Sequence, residues 1–241
     1  MPVITLTHLP GTLGEDIARR LATKLGIPLW LRSDTAHLFL QDIASDYDIR
    51  LLDESPKHYL RNASNGISFR DNIIQGIRTY ADQDNAIILG VVPGLFLGNH
   101  PNAINIHVTA PPELREERLL AEKGATLQSV SQKMQQADRL FRRYASIIFN
   151  EEAQDPFLYH LTINTGKIST DAAVNMIAEA YRDHLAREIL VDTMADNERL
   201  RFLREETTKM KNPSEISFAK VLDMYHIKWV YEPKTFPLEW N

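Results

Sequence analysis

The stretch THLPGTLGED, residues 7–16, joins a short apolar run to a helical pattern, and it decides how the chain folds. Before it, residues 3–7 read VITLT, which is typical of a buried β-strand. After it, apolar residues recur at helical spacing, which predicts a helix over 14–25. A strand, a glycine-containing turn and a helix in this order are typical of a phosphate-binding loop.

The rest of the chain alternates apolar runs with helical patterns. Apolar runs predict further strands at 86–92, 104–110 and 157–165. Helical patterns lie at 34–47, 68–82, 113–123, 127–148 and from 170 to about 209. This alternation predicts an α/β fold in which helices flank both faces of a parallel sheet.

Composition narrows the function classes. The chain has 241 residues, 44% of them hydrophobic, and a formal net charge of −5, so general binding to nucleic acid is not expected. The absence of cysteine excludes disulfides and thiolate metal sites, and the 8 histidines show no metal-ligand spacing, so no metal site is predicted. We expect neither a signal peptide nor a membrane span of about 20 apolar residues. A cytoplasmic protein is the expectation.

The opening loop supports two interpretations. Gly11 and Gly14 allow the backbone to turn and an anion to approach the helix N-terminus. The full pattern GxxxxGK[ST] is absent, because Glu15 and Asp16 replace the lysine and the hydroxyl residue. Acidic residues in a first helical turn stabilise a helix by about 0.3–1 kcal/mol each without any ligand, and they repel a triphosphate. The loop is therefore either a phosphate site or an ordinary turn.

Arginines concentrate in the middle of the chain. Arg115 and Arg118 share one helix face, and DRLFRRY at 138–144 adds further arginines. Enzymes that transfer phosphoryl groups need positioned guanidinium groups, because negative charge spreads over the transferred oxygens. The alternative is a solvated helix face on which these arginines pair with neighbouring glutamates.

In serial order, these segments resemble the cytidylate-kinase-like family of P-loop nucleoside monophosphate kinases. THLPGTLGEDIARRLATKLGIPLW at 7–30 resembles the loop SRxxGSGGxxIA and the helix that follows it in that family. Further matches are Arg32 in WLRSD, DESPKH at 53–58, VTAPPELREERLLAEKG, ADRLFRRY and DPFLYHLTINT. The last match is the most specific, and the resemblance covers roughly residues 1–182.

The resemblance implies a P-loop NTPase-like sheet with an arginine-rich helical lid. It implies ATP as the phosphoryl donor, with Mg²⁺ held mainly by the nucleotide and water. Backbone amides of the opening loop are then expected to hold the donor phosphates. The residues expected on the donor side are Gly11, Thr12, Leu13, Gly14, Glu15, Asp16, Arg115, Arg118, Asn164 and Thr165.

The same resemblance implies an acceptor side and a catalytic lid. Arg32 and Asp53 are expected to contact the acceptor nucleotide. The lid residues expected to close over the transferring group are Arg139, Arg142 and Arg143, with Asp138 holding their geometry.

Departures from the family pattern leave two functions open. Leu13 replaces a family glycine and Glu15 is acidic, while Val91 replaces an arginine and Leu31 replaces an aspartate. One hypothesis is ATP-dependent phosphoryl transfer to a nucleoside monophosphate or a similar small acceptor. The other is a catalytically weak or inactive domain that acts in nucleotide sensing or assembly through its C-terminal tail.

We predict a kinase-like domain over 1–185, a charged helical linker over 186–211 and an appendage over 212–241. The appendage resembles the opening helix and first strand of a PD-(D/E)xK nuclease-like domain, with Glu215 as the early acidic residue. The rest of the metal-binding set would lie beyond residue 241, so this chain alone is not expected to cut nucleic acid.

The alternative for the appendage is an amphipathic helix and hairpin that packs on the kinase-like domain or on a second subunit. Four aromatic residues would then suit a homodimer contact. These residues are Trp229, Tyr231, Phe236 and Trp240.

Overall fold

The computed structural model describes residues 2–207 and 213–224. Its strands are β1 (Val3–His8), β2 (Leu29–Trp30), β3 (Ile87–Gly90), β4 (Ala103–Thr109) and β5 (Leu161–Asn164). They form a five-stranded sheet in the order β2-β3-β1-β4-β5, and every pairing is parallel. The predicted parallel α/β architecture is confirmed.

Helices connect the strands and cover the sheet. They are α1 (Gly14–Leu25), α2 (Arg32–Leu40), α3 (Asp46–Glu54), α4 (Phe69–Ala81), α5 (Pro93–Leu97), α6 (Pro112–Leu120), α7 (Leu127–Tyr144), α8 (Thr170–Thr207) and α9 (Pro213–Met224). A π-helical turn, Ala145–Phe149, follows α7, and 3-10 turns lie at Pro56–Leu60 and Pro156–Leu158.

Hydrophobic cores lie on both faces of the sheet, because successive side chains of a strand point to opposite faces. On one face, Ile4 and Leu6 are buried with residues of α1 and the first part of α8. On the other face, Val3 and Ile88 are buried with residues of α4, α5 and α7. Both cores belong to the unit that carries the sheet.

The chain divides into two compact units, Met1–Leu185 and Ala186–Asn241. The proposed linker, 186–211, and appendage, 212–241, stay predictions. The appendage helix begins at Pro213. The four aromatic residues of the appendage, with their predicted homodimer contact, lie outside the described residues. In the described part of the chain, no helix has the length and apolar character needed to cross a membrane.

The predicted single helix over 34–47 is wrong: two helices, α2 and α3, cover this region. Ser45 starts the second helix through a reciprocal capping box. Its hydroxyl accepts a hydrogen bond from the Asp48 N–H at 3.2 Å, and the Asp48 carboxylate accepts one from the Ser45 N–H at 3.1 Å. Because Ser45 is the N-cap of α3, a single helix cannot continue through this position.

The predicted strand over 157–165 is also shorter than expected. Asp155 caps a 3-10 turn by accepting a hydrogen bond from the Phe157 N–H at 2.9 Å, and Pro156 occupies the first position of that turn. The chain therefore enters the sheet only at Leu161.

Gly14 joins β1 to α1 at close range. A Cβ added there would lie 2.3 Å from the Cβ of His8, the last residue of β1. No pair of non-bonded carbon atoms tolerates this separation, so a larger residue must displace the helix or the strand end.

We predict that Gly14→Ala lowers the free energy of unfolding by about 1–3 kcal/mol, because overpacking forces backbone shifts. Urea unfolding measures this change. Gly90→Ala is the matched control, since its added Cβ meets its nearest neighbour at 3.6 Å, an ordinary contact. Equal stability of the Gly14 variant and the control would contradict the described packing.

Candidate functional site

The loop between β1 and α1 turns sharply at the carboxyl edge of the sheet. The Thr12 N–H and hydroxyl both donate to the Leu9 carbonyl, at 3.2 Å and 2.8 Å. Gly11 has φ +80°, and Leu13 has φ 65°. A leucine in the left-handed region is strained, and such strain gathers at functional sites. The strained residue occupies the position at which the resemblance implies a glycine.

The amides that follow this turn are free to bind a ligand. The N–H groups of Leu13, Gly14, Glu15 and Asp16 meet no hydrogen-bond acceptor within the described residues, and no side chain caps α1. These amides lie at the positive end of the helix dipole. The Thr12 N–H is used by the turn itself, so it is not part of this set. The arrangement suits an anion.

The acidic side chains of the first turn pair along the helix surface. The Glu15 carboxylate lies 2.6 Å from Arg19 Nη2, and the Asp16 carboxylate lies 3.0 Å from Arg20 Nε. All four side chains are about half exposed or more, so each pair contributes little to stability. The pairing offsets part of the negative charge beside the free amides. The i, i+4 spacing was the available sequence signal for these partners.

Two arginines of α6 hold the loop from outside. Arg115 Nε donates to the Pro10 carbonyl at 2.9 Å, and Arg118 Nη1 donates to the Gly11 carbonyl at 3.0 Å. In a trans peptide, the C=O and the next N–H point in opposite directions. Binding the Pro10 carbonyl on the α6 side therefore directs the Gly11 N–H away from α6.

Thr165 joins the same network from the end of β5. Its hydroxyl donates to the Thr12 carbonyl at 3.0 Å and accepts from Arg118 Nη1 at 2.9 Å. Arg118 Nη2 also donates to the Thr165 carbonyl at 2.8 Å. Asn164 is exposed, and its side chain accepts a hydrogen bond from the Gly166 N–H instead. Of this predicted pair, Thr165 is the residue that contacts the loop.

Asp138 forms its ion pair with Arg115. Its Oδ1 lies 2.8 Å from Arg115 Nη2, and Oδ2 lies 3.4 Å from Nη1. The Arg115 side chain is 6% exposed, so an unpaired charge there would be costly. Asp138 thus stabilises the arginine that holds Pro10. Its expected action on the lid arginines stays a prediction.

The predicted lid arginines lie on the last turns of α7. Arg139, Arg142 and Arg143 are exposed. Within the described residues, none of them forms an ion pair or a hydrogen bond through its side chain. Their guanidinium groups are available to a ligand, and closure over a phosphoryl group stays a prediction.

The structure brings together the two residues expected on the acceptor side, with Arg32 Nε 3.0 Å from the Asp53 carboxylate. Arg32 Nη2 donates to the Leu52 carbonyl at 2.6 Å and to the Tyr144 hydroxyl. The Arg32 guanidinium also lies over the Tyr144 ring, 4.5 Å from its centre. Sequence reasoning missed Tyr144, although it ends the DRLFRRY motif.

A pocket with about 460 Å³ of empty volume, including its open mouth, lies beside Arg32. Its walls come from α2, α4, β3, α5 and the end of α7. The residues that define it best are Arg32, Tyr59, Ile77, Val91, Phe96 and Tyr144. Gly90 of β3 pairs with Thr7 of β1. The pocket beside the end of β3 and the loop after β1 therefore lie next to each other at one edge of the sheet. In open parallel sheets, ligands bind at this edge.

A metal centre made by protein side chains alone is not present in the described part of the chain: no group of three or more His, Asp or Glu side chains is placed to hold an ion. At the loop, no hydroxyl residue follows Gly14, and the Asp16 carboxylate is engaged by Arg20. The loop therefore fits phosphate oxygens better than it fits Mg²⁺.

His107 is a residue of β4 whose side chain packs toward α7, and it was not predicted as a notable residue. Its ring stacks on Tyr159 at 4.8 Å and lies 5.7 Å from the Phe141 ring. Its Nε2 is buried and has no hydrogen-bond partner within the described residues. Burial lowers the pKa of His107, and it raises the pKa of Tyr159 to about 12.

Several comparisons place this arrangement among known proteins. The model of the cytidylate kinase-like family matches residues 3–167. A cytidylate kinase from Methanocaldococcus jannaschii is 24% identical over 181 residues, which cover 74% of this chain and 96% of that protein. An uncharacterized protein from Eubacterium ventriosum has a similar crystal structure, with a TM-score of 0.59, 19% identity, and coverage of 76% of this chain and 99% of that one. A gluconokinase from Sinorhizobium meliloti has a TM-score of 0.46, 11% identity, and coverage of 77% and 97%.

We predict that Arg118→Met lowers the free energy of unfolding by about 1.5–3 kcal/mol, because charge-assisted bonds to Gly11 and Thr165 are lost. The loop amides also lose their fixed direction, so ATP affinity falls by about tenfold. Urea unfolding and calorimetric titration measure the two effects. Arg182→Met, at an exposed pair with Glu179 on α8, is the control. If the Arg118 variant and this control have the same stability and the same ATP affinity, the described role of Arg118 in holding the loop is wrong.

We predict that His107→Phe flattens the pH dependence of stability between about pH 7.5 and pH 5. The pKa of His107 is lowered in the folded state, so the unfolded chain binds the proton first. Native stability therefore falls as pH drops below about 6.5, and the fall stops at the folded pKa.

Urea unfolding at several pH values tests this prediction, with His37→Phe on exposed α2 surface as the control. Carboxylates contribute equally to the wild type and both variants, so the difference in slope isolates His107. Identical slopes for the wild type and His107→Phe would show that this histidine is not buried in its neutral form.

Proposed function

Because the chain belongs to the cytidylate kinase-like family, we propose that it binds ATP at the loop between β1 and α1 and transfers a phosphoryl group to a nucleoside monophosphate or a similar small acceptor. The single observation that carries this proposal is the pairing of two features at one edge of the sheet. Free amides of Leu13 to Asp16 lie after β1, and the Arg32 pocket lies after its neighbour β3.

The residues present fit the phosphates of ATP. Amides at a helix N-terminus bind phosphate oxygens without a cationic side chain. The Thr165 hydroxyl holds the Thr12 carbonyl, and in the trans peptide this fixes the direction of the Leu13 N–H, so that amide needs little rearrangement on binding. The fit to protein-bound Mg²⁺ is poor for the reason given above, and we assign no step to the ion.

ATP would supply the γ-phosphoryl group: an acceptor oxygen forms a bond to the γ-phosphorus, the bond to the β–γ bridging oxygen breaks, and ADP leaves with that electron pair. Arg32 positions the acceptor. Exposed arginines of α7 stabilise the charge on the transferred oxygens, as guanidinium groups do in other phosphotransferases.

A second candidate function is nucleotide sensing without efficient turnover. It is favoured by Glu15, which places a carboxylate where phosphate-binding loops carry lysine, and by Val91, which lines the acceptor pocket without a charge. Binding would persist through the amides, while stabilisation of the transition state would be reduced.

A thermal-shift titration with ATP and several nucleoside monophosphates, followed by an ADP-release assay, separates the two functions. A ligand at about 100 times its dissociation constant stabilises the fold by about 2.7 kcal/mol. We expect a shift with ATP and release of ADP that falls when Arg139 and Arg142 are replaced by Ala. A shift without release supports sensing, and no shift with any nucleotide contradicts the proposal.

We predict that Glu15→Lys tightens ATP binding by about tenfold, because an attractive charge replaces a repulsive one next to the phosphates. Calorimetric titration measures the affinity. Glu179→Lys makes the same change in net charge on the exposed surface of α8 and serves as the control. The proposed phosphate site would be wrong if both variants changed the affinity equally.

A further inference from the structure

The walls of the pocket beside Arg32 are apolar. Ile73 and Ile77 of α4, Ile88 of β3 and Phe96 of α5 line it, and each has a side chain that is buried in the core. Among the residues that line the pocket, Arg32 carries the charge. The pocket therefore has one cationic end and a hydrocarbon body.

Arg32 is fixed before any ligand arrives. Its Nε and Nη2 groups are engaged by Asp53, the Leu52 carbonyl and Tyr144. The Tyr59 hydroxyl also interacts with this guanidinium, and within the described residues Nη1 forms no ion pair. The Asp53 side chain is 56% exposed, whereas Arg32 is 26% exposed, so solvent screens the carboxylate more than the guanidinium. The Nη1 group can bind an anion at the pocket.

Few polar groups remain to recognise a nucleobase. The Tyr144 hydroxyl donates to the Leu52 carbonyl at 2.6 Å, and the Thr35 hydroxyl donates to the Leu31 carbonyl at 3.1 Å. The Tyr59 hydroxyl interacts with the Arg32 guanidinium. A cytosine ring carries an amino donor and acceptor atoms on its edge. Each such group left unpaired on burial weakens binding by roughly tenfold.

Val91 and Leu31 strengthen this contrast with the family pattern. The family resemblance places an arginine at position 91 and an aspartate at position 31. Here both are aliphatic, and Val91 lines the pocket. At position 91 the pocket therefore presents hydrocarbon, and Arg32 is the charged group among its lining residues.

We infer that the acceptor is a small molecule with a phosphate or carboxylate group for Arg32 and an otherwise apolar body, rather than a cytosine nucleotide. This inference rests on the proposed function, whose acceptor class it narrows. The anion lies at the Arg32 end, and the apolar body lies between α4, β3 and α5.

Calorimetric titration of the full chain with phenyl phosphate, benzoate, CMP and inorganic phosphate tests the inference. We expect phenyl phosphate or benzoate to bind at least about tenfold more tightly than both CMP and inorganic phosphate. The comparison of phenyl phosphate with benzoate identifies the preferred anion. CMP binding as tightly as the aromatic ligands overturns the inference, and so does the absence of any gain over inorganic phosphate or of any binding.

Variants locate the bound ligand. Val91→Asn adds a polar group at a half-buried position of the pocket, so it should weaken phenyl phosphate binding about fivefold and leave CMP unchanged or tighter. Arg32→Gln should weaken both ligands. Leu120→Asn, on the exposed side of α6, is the matched control. If neither pocket variant changes the affinity for phenyl phosphate, the ligand binds elsewhere and the inference is wrong.

ATP titration of the same samples separates this inference from the proposed function. If the chain binds ATP and releases ADP but does not prefer apolar anions, the proposed kinase function is supported and the inferred acceptor class is wrong. If the chain does not bind ATP but clearly prefers phenyl phosphate, the proposed kinase function is wrong and the inferred site for apolar anions is supported.

Discussion

The structure depends on two guanidinium groups of α6 that hold the carbonyls of Pro10 and Gly11. These bonds stabilise a turn that is strained, because Leu13 lies in the left-handed region. They also direct the Gly11 N–H away from α6. A site that binds phosphate through amides needs this fixed direction more than it needs a particular side chain, so the loop can depart from the usual sequence and keep its shape.

The two sides of the site differ in how they recognise a ligand. The donor side offers backbone amides, with the negative charge of Glu15 and Asp16 partly offset by arginines one turn later. The acceptor side offers one arginine, held in place by Asp53 and Tyr144, next to an apolar pocket. Both sides lie at the same edge of the sheet, next to the ends of β1 and β3. The aliphatic side chain of Val91 in the pocket is part of the basis for the apolar acceptor that we infer.

Much of the fold could be predicted because it is encoded locally. The strand, turn and helix at 3–25 follow from apolar periodicity and glycine placement. The break between α2 and α3 was missed, although the Ser45 and Asp48 capping pair lies within one helical turn. Contacts of the site could not be predicted in this way. Arg115 reaches Asp138 across 23 residues, and Arg118 reaches Thr165 across 47. No local pattern specifies such pairs, because only the sheet topology brings α6, α7 and β5 to the loop.

The most direct test of the central claim is an amide NMR titration of the full chain with ATP. If the tethered loop binds phosphate, the N–H signals of Leu13, Gly14, Glu15 and Asp16 shift the most, since these amides have no acceptor within the described residues. Saturating ATP that leaves these four signals in place, while signals elsewhere move or none move, would contradict the account. The loop would then be an ordinary turn that its arginines stabilise.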